Sequence, residues 1–431
     1  MIINFNIKNF GSIKDQQTLS FEAEKTKHLE DFYISKIGKR RLLKVALIYG
    51  ANASGKTTVL KALDFLRKLV LKPVEKKTEE LHFQPFLFDK ETPKENSLLS
   101  IEFIKNETKY FYEVEFCNKA IVKESLKFFN PNKASVFNRE TDLENQFTKI
   151  EFGGKIEVDK TSLKTLEANT LWNNTVLGGF LKTNIEIKEL KEVTDWFKDY
   201  LHSLVYPKTE LDTYILSLID KEKIKEKNIL KILRKADLNI SDIVIEKKGK
   251  DIPEGLLEFL EKSTGIPDEK IQEIKSKNKI TAVKLEFEHL VDNNKYNLPF
   301  ELESQGTKRY FSFAGLLNLL LINSAAFPID ELEASLHPDL YQHFLLTFLA
   351  NSKESQIIAT THNREILNDK DIIRDDAIWI TDKTKGAATE LYSFADFDTS
   401  VIRDTTNRLN AYKSGKLGGI PNVGDYFLDL E

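Results

Sequence analysis

From Met1 to about Glu151 apolar and polar residues alternate with a period of two, the pattern of half-buried strands. The opening Met1-Ile2-Ile3-Asn4-Phe5-Asn6-Ile7 reads this way, and Ser100–Ile104 and Lys109–Phe116 flank a short polar turn as the arms of a hairpin would. A helical period interrupts once: Val59, Leu60, Leu63, Leu66 and Val70 share one face of a helix that begins near Lys56 and ends before Pro73. Between about Asp159 and Lys279 the pattern becomes helical and rich in Lys and Glu, as in Ile224 to Lys235, with Pro253 and Pro267 as breaks. Strand patterns return from about Ile280, first at Lys284–Glu288, and alternate with helices to about Ile380. The most apolar stretch, Phe313–Phe327, is interrupted by Asn318, Asn323 and Ser324; it falls short of the roughly 20 residues that span a bilayer and reads as a buried helix running into a buried strand. The expected class is α/β, with an amino-terminal lobe (1–158), an inserted helical domain (159–279) and a carboxy-terminal lobe (280–431).

The bulk numbers narrow the partners. A chain of 431 residues that is 41% hydrophobic and 30% charged has material for a sizeable core and for more than one folding unit. A formal charge of -4 argues against coating nucleic acid through overall electrostatics, so any such contact must be local. Patches such as Lys39-Arg40-Arg41 are local candidates, and a solvated basic turn is the plainer reading. A single cysteine, Cys117, forms neither an internal disulfide nor a cysteine zinc site and is expected to be a buried thiol in a reducing cytoplasm. The amino terminus lacks the basic segment and apolar core of a signal peptide, so a cytoplasmic protein without a membrane role is expected.

Candidate chemistry begins at Gly50-Ala51-Asn52-Ala53-Ser54-Gly55-Lys56-Thr57, which fits GxxxxGK[ST] at every fixed position between an apolar strand (Leu42–Tyr49) and a helix. Backbone N–H groups of such a loop, aimed by a helix amino terminus, can wrap a β-phosphate where side chains would be too bulky. Lys56 would add charge at the β/γ bridge, Thr57 would ligate Mg²⁺, and Thr58 extends the binding set. A triphosphate site also needs a metal-orienting carboxylate and a group to activate water. Ala325-Ala326-Phe327-Pro328-Ile329-Asp330-Glu331 supplies both, Asp330 for the metal shell and Glu331 for the water. Pro328 removes a ladder N–H, so a bulge or late pairing is expected at the start of that strand.

Two further elements refine the class. Ile357-Ile358-Ala359-Thr360-Thr361-His362 is an apolar strand ending in a histidine placed to reach a γ-phosphate. Ser304 and Gly306, in Glu303-Ser304-Gln305-Gly306-Thr307 before a long apolar helix, make a second anion-binding helix start. One nucleotide does not easily use both helix starts of one subunit, which calls for a second copy of the chain. His28, His82 and His289 form no metal-ligand spacing and are expected to be structural.

The order of phosphate loop, serine-glycine motif, Asp-Glu and histidine resembles the ABC-type ATPases of the SMC and OLD kind. In detail, Ile329-Asp330-Glu331-Leu332-Glu333-Ala334-Ser335-Leu336-His337-Pro338 and Thr360-Thr361-His362-Asn363 are similar to the AAA-type ATP-binding proteins of bacterial abortive-infection and anti-phage systems, of the RloA, AbiL and PARIS kind. The likeness covers both lobes and not the insert. It implies a P-loop NTPase of the ABC/SMC head type with a mixed central sheet, an antiparallel β layer and a helical insertion. It also implies a homodimer that holds two ATP molecules with Mg²⁺ in its interface, Ser304 and Gly306 of one copy closing over the Lys56 loop of the other. Ser335-Leu336-His337 would be the D-loop, where many relatives carry Asp at the place of His337; capping of the next helix is the alternative for that histidine. Gln84 is the candidate for the glutamine that senses Mg²⁺ and γ-phosphate, with a plain surface glutamine as the alternative. OLD relatives carry a carboxy-terminal TOPRIM nuclease, for which positions 363–431 leave no room, so the expected role is an ATPase that restrains or triggers a separately encoded effector nuclease in phage defence. The alternative is an SMC-like ATPase that binds DNA in repair or end recognition. The tail Gly415-Lys416-Leu417-Gly418-Gly419-Ile420-Pro421 resembles the family's ending without a stated job.

Overall fold

The structure is a computed structural model that describes residues 1–251, 279–397 and 408–421. It divides into two compact units, one of Met1–Thr209, Leu319–Ala334 and Phe344–Glu431 and the other of Glu210–Asn318 and Ser335–His343. Pro253 and Pro267 lie outside the described residues.

The first unit contains two large sheets and the two-stranded antiparallel ribbon of Ile34–Ile37 and Arg40–Leu43. The alternation of the first 150 residues becomes a seven-stranded antiparallel sheet in the order Phe147–Phe152, Lys133–Asp142, Ile121–Phe129, Thr108–Phe116, Ser97–Lys105, Ile2–Lys8, Gln17–Ser20. The expected hairpin closes through Asn106 and Glu107, both at positive φ (49° and 61°), the twist a two-residue turn needs. Cys117 is half-buried, not buried, because it sits in the turn where its N–H donates to the Ala120 carbonyl at 2.9 Å.

The second sheet of this unit is mixed, in the order Ala326–Ile329, Gln356–Thr360, Val45–Gly50, Ile378–Lys383, Thr389–Ser393. Its first four strands run parallel and the last antiparallel. Val45–Gly50 lies at its centre with every residue buried, which explains an apolar run in place of alternation. The helix Lys56–Leu71 buries Val59, Leu60, Leu63, Leu66 and Val70 and packs on strands of this sheet and on Ile2–Lys8 of the antiparallel one. Gln356, fully buried, ties the two sheets: its Oε1 accepts from the Ile2 N–H at 2.6 Å, and its Nε2 donates to the carbonyls of Ile2 and Leu43 at 3.0 Å each.

Pro328 corrects an expectation. The strand pairs in continuous register, Ala326 with Gln356 through Ile329 with Ala359, without a bulge. The proline is tolerated because this is the outer strand of the sheet. Its outward side meets a strap, Leu201–Val205: the His202 N–H donates to Ala326 O (2.9 Å), the Val205 N–H to Pro328 O (2.9 Å), and the Asp330 N–H to Val205 O (2.8 Å). Arg67 fastens the strap from the helix through Leu201 O (2.5 Å) and Ser203 Oγ (3.0 Å), and Asp64 Oδ1 accepts from the Leu204 N–H (3.1 Å).

The second unit carries the helices Leu211–Asp220 and Glu226–Lys235 and the antiparallel sheet Ile240–Asp251, Lys279–Val291, Asn294–Pro299. Among the described residues of 159–279 both helices and a strand occur. Helices Lys160–Asn169, Val176–Phe180 and Lys188–Asp195 belong to the first unit, and Ile240–Asp251 is a strand. Its Ile243 and Ile245 alternate only after a register shift between Ile240 and Asp242, and they run into the charged Lys247-Lys248-Gly249-Lys250, which masks the period of two; pairing with Lys279–Val291 decides the matter. Phe287, Phe300 and Phe311 pack with ring centroids 5.4 to 5.5 Å apart in this unit. Among the described residues no helix is long and apolar enough to cross a membrane.

His202 yields a test of the strap. Its ring stacks on Phe327 at 4.1 Å, and burial, aided by Arg67, pushes its pKa down to about 4. Unfolding releases it to an ordinary value near ~6.5, so the unfolded chain binds the extra proton first. Its contribution to stability is full above that pH and is lost progressively as pH falls toward about 4. His202→Phe, which keeps the stack, should shrink the drop in denaturation midpoint between pH 7 and pH 4.5; an identical drop in both proteins would contradict the assignment.

Candidate functional site

The phosphate loop leaves the central strand at Gly50 and enters the helix at Gly55. Gly55 sits at φ +106°, and a Cβ there would lie 2.2 Å from Thr389 Oγ1 and 2.7 Å from Ser12 Oγ, so both conformation and space demand glycine. At Gly50 a Cβ would meet Thr381 Oγ1 at 2.3 Å and Thr381 O at 2.6 Å. Hydroxyls wall the loop: Ser54 Oγ lies 2.6 Å from Thr381 Oγ1, Thr389 Oγ1 donates to Ser54 O at 2.8 Å, and Ser12 Oγ lies 3.0 Å from Thr58 Oγ1. Asn52 and Ala53 are exposed at the rim, Ala53 at φ +62°.

Lys56 is 7% exposed, and its ammonium donates to the Gly50 and Ala51 carbonyls at 2.9 and 3.0 Å. Burial lowers its pKa, while the nearby Asp330, Glu331 and Glu333 act to raise it. Two of its three donors are thus engaged by the loop that would hold a phosphate.

Asp330, buried at the end of the outer strand, joins three elements. Its Oδ1 accepts from Thr57 Oγ1 at 2.9 Å and from Thr360 Oγ1 at 2.7 Å, while its N–H is held by the strap. Thr360 Oγ1 in turn accepts from the Glu331 N–H at 2.8 Å, and Thr360 O accepts from the Leu332 N–H at 3.0 Å. Glu331 turns at φ +50°, an uncommon conformation for a non-glycine residue that breaks the strand at the acid pair. The His362 N–H donates to Glu333 Oε1 at 2.5 Å. Partial burial first, and then Lys56 and Arg364, lower the His362 pKa against the raising fields of Glu333 and Glu331, so its imidazole is neutral at pH 7.

The structure therefore brings Lys56, Thr57, Asp330, Glu331 and His362 into one neighbourhood. Both bonds to the Asp330 carboxylate fall on Oδ1, beside the Thr57 hydroxyl, and such hard oxygens are the donors Mg²⁺ takes. Among the described residues no group of three or more His, Cys, Asp or Glu side chains forms a self-sufficient metal cage. Gln84 is bonded to neither Thr57 nor Asp330. Its carbonyl accepts from the Gly11 N–H at 2.7 Å, and it lines a cavity of about 570 Å³ with Phe10, Ser12, Thr58 and Phe83. Tyr206, which follows the strap, is close enough to Asp330 to feel its charge. Sequence reasoning assigned no role to Thr360, Glu333, Thr381, Thr389 or the strap; threonines at the ends of the apolar strands were the available signal.

In the second unit Ser304 caps the helix Gln305–Ile322: its Oγ accepts from the Thr307 N–H at 3.1 Å. A Cβ at Gly306 would come within 3.3 Å of Ser335 O. His337 Nδ1 accepts from the Asp339 N–H at 3.3 Å, so the capping alternative describes its contact in the single chain. The basic turn is occupied within the first unit: Arg40 pairs with Glu22 and Arg41 with Glu30, each at 3.0 Å.

Among solved structures, the chain is similar to the SMC head domain from Thermotoga maritima at 12% identity, covering 91% of this chain and 98% of that one with a TM-score of 0.42. It is likewise similar to an SmcHead bound to the C-winged helix domain of ScpA (14% identity, 91% and 97% covered, TM-score 0.46). A third is the Smc head domain with an extended coiled coil bound to the C-terminal domain of ScpA derived from Pyrococcus furiosus (13%, 91% and 96%, 0.38). No curated protein matches the sequence. The family model described as "AAA domain, putative AbiEii toxin, Type IV TA system" matches residues 45–368, well over half of the chain and the whole stretch from the phosphate loop to His362, and the chain belongs to that family.

Proposed function

We propose that the chain binds and hydrolyses ATP as a nucleotide-dependent homodimeric switch. The observation that carries this reading is the Thr57–Asp330–Thr360 hydroxyl–carboxylate bridge with Glu331 beside it and Lys56 close by. In this reading Lys56 and the loop N–H groups bind the phosphates, and Thr57 and Asp330 hold Mg²⁺, which supplies charge neutralisation when bound. Glu331 orients and polarises the attacking water, and the neutral His362 offers a hydrogen bond toward the γ-phosphate. Ser304 and Gly306, at the start of a helix whose capping residue Ser304 and first residue Gln305 are exposed, would close over the Lys56 loop of a second copy, where N–H groups and the helix dipole favour anionic phosphate.

The family description, which names a toxin of a toxin–antitoxin system, supports placing this switch in bacterial defence. We propose that the effector is a separately encoded nuclease that the dimer restrains or releases. For the DNA-binding alternative the internal pairing of Arg40 and Arg41 weighs against the patch Lys39-Arg40-Arg41.

Glu331→Gln should leave ATP binding intact while lowering kcat about 10²-fold or more, the size of a general-base contribution, and should accumulate ATP-bound dimers in size-exclusion chromatography. Undiminished turnover would remove Glu331 from the mechanism. Lys56→Ala and Ser304→Arg should each be inactive alone, yet a mixture should recover turnover, because one composite site per mixed dimer is intact. Two dead variants that stay dead when mixed, despite forming dimers, would refute the shared site.

A further inference from the structure

The glycine-rich tail is the motif with no part in the reading above, and its position is specific. Gly415, Gly418 and Gly419 all take positive φ (+74°, +66° and +66°), so the segment folds as a tight turn that side chains would resist. A Cβ on Gly419 would lie 2.8 Å from Ile380 Cγ2, 3.2 Å from Thr381 O and 3.3 Å from Gly50 Cα. The turn is therefore pressed against the first glycine of the phosphate loop and against the strand that walls it. Two tyrosines fix it there: Tyr392 Oη donates to Leu417 O at 2.8 Å, and Tyr412 Oη donates to Gly419 O at 2.9 Å.

Tyr412 makes further contacts. Its hydroxyl lies close enough to the Gly50 backbone for that backbone to lower the phenol's pKa against the raising effect of burial, and its ring lies edge-on to Tyr49 at 6.1 Å between centroids. The Arg364 guanidinium, two residues beyond His362, stands over the same ring at 5.5 Å. One buried side chain thus touches the start of the phosphate loop, the tail turn and the segment that carries His362.

We propose that the tail turn Gly415–Gly419 and Tyr412 form a latch that positions Gly50 of the phosphate loop and couples it to the His362 segment through Arg364. The latch acts on nucleotide binding only if the ATP reading holds; its hold on the loop itself does not depend on that reading. Tyr412 is a positioning residue, since it acts through Gly50 and Arg364.

Two measurements on the full chain test it. Hydrogen exchange of peptides spanning Gly50–Ser54, without nucleotide, should quicken in Tyr412→Phe by about 3- to 10-fold, the loss of one buried hydrogen bond, while Gln356–Thr360 in the same sheet is unchanged. The dissociation constant for MANT-ATP with Mg²⁺ should rise by a similar factor of about 3 to 10. Gly419→Ala should act in the same direction, and the double variant should add little, because both changes release one latch. A folded Tyr412→Phe whose loop exchange and MANT-ATP affinity both equal wild type overturns the proposal, as does fully additive behaviour of the pair. A wild-type chain that fails to bind MANT-ATP would sink the ATP reading instead, and the exchange comparison would still decide the latch.

Discussion

The Asp330 carboxylate holds the site together. One of its oxygens accepts hydroxyls from Thr57, at the start of the phosphate-loop helix, and from Thr360, at the end of the neighbouring strand. A buried carboxylate is costly unless its lone pairs are met, so both hydroxyls are drawn to it and the ends of three elements are held at one point. Thr360 passes the restraint to Glu331 through its N–H, which fixes the turn that leaves the glutamate at the strand's end. The catalytic reading of Glu331 and Lys56 depends on this convergence.

Around that point the fold removes freedom from every side. The phosphate loop is walled by Thr381 and Thr389, the acid-bearing strand is edged by the strap, and the tail turn lies against Gly50. The strap also accounts for the proline: on an outer strand the even-numbered residues face Leu201–Val205, and a missing N–H there costs one contact without breaking the inner ladder. Short polar side chains do this work because hydroxyls can donate and accept in a small space, whereas larger groups would fill the room a phosphate needs.

The parts legible in the sequence were those whose physics is local. The glycines of the loop, the helical face from Val59 to Val70 and the hairpin around Asn106 follow from backbone sterics and periodicity, and the structure contains each. Asp330 and His362 stood out as candidates because apolar strands that end in polar residues mark the carboxyl edge of a parallel sheet, where ligands gather. Thr360, Tyr412 and the strap were not legible. Each acts across a gap of dozens to hundreds of positions, as Tyr412 does on Gly50, and no local pattern distinguishes such a tyrosine from an ordinary core residue. The strand Ile240–Asp251 was misread for a related reason, since its partner begins at Lys279 and its lysines obscure the alternation.

By itself the sequence determined the chemistry on offer: a glycine loop with Lys56 and Thr57, an acid pair after an apolar strand, and a capped helix start at Ser304. Tertiary structure decided which of these meet. It set Val45–Gly50 between Gln356–Thr360 and Ile378–Lys383, an order that no run of adjacent residues encodes. It placed Gln84 in a cavity with Phe10, Ser12 and Thr58, set half-buried Cys117 in a turn, and brought the tail to the loop. The physical reason is that propensity and patterning act over a few residues, whereas strand order and buried hydrogen bonds are chosen by the satisfaction of the whole core at once.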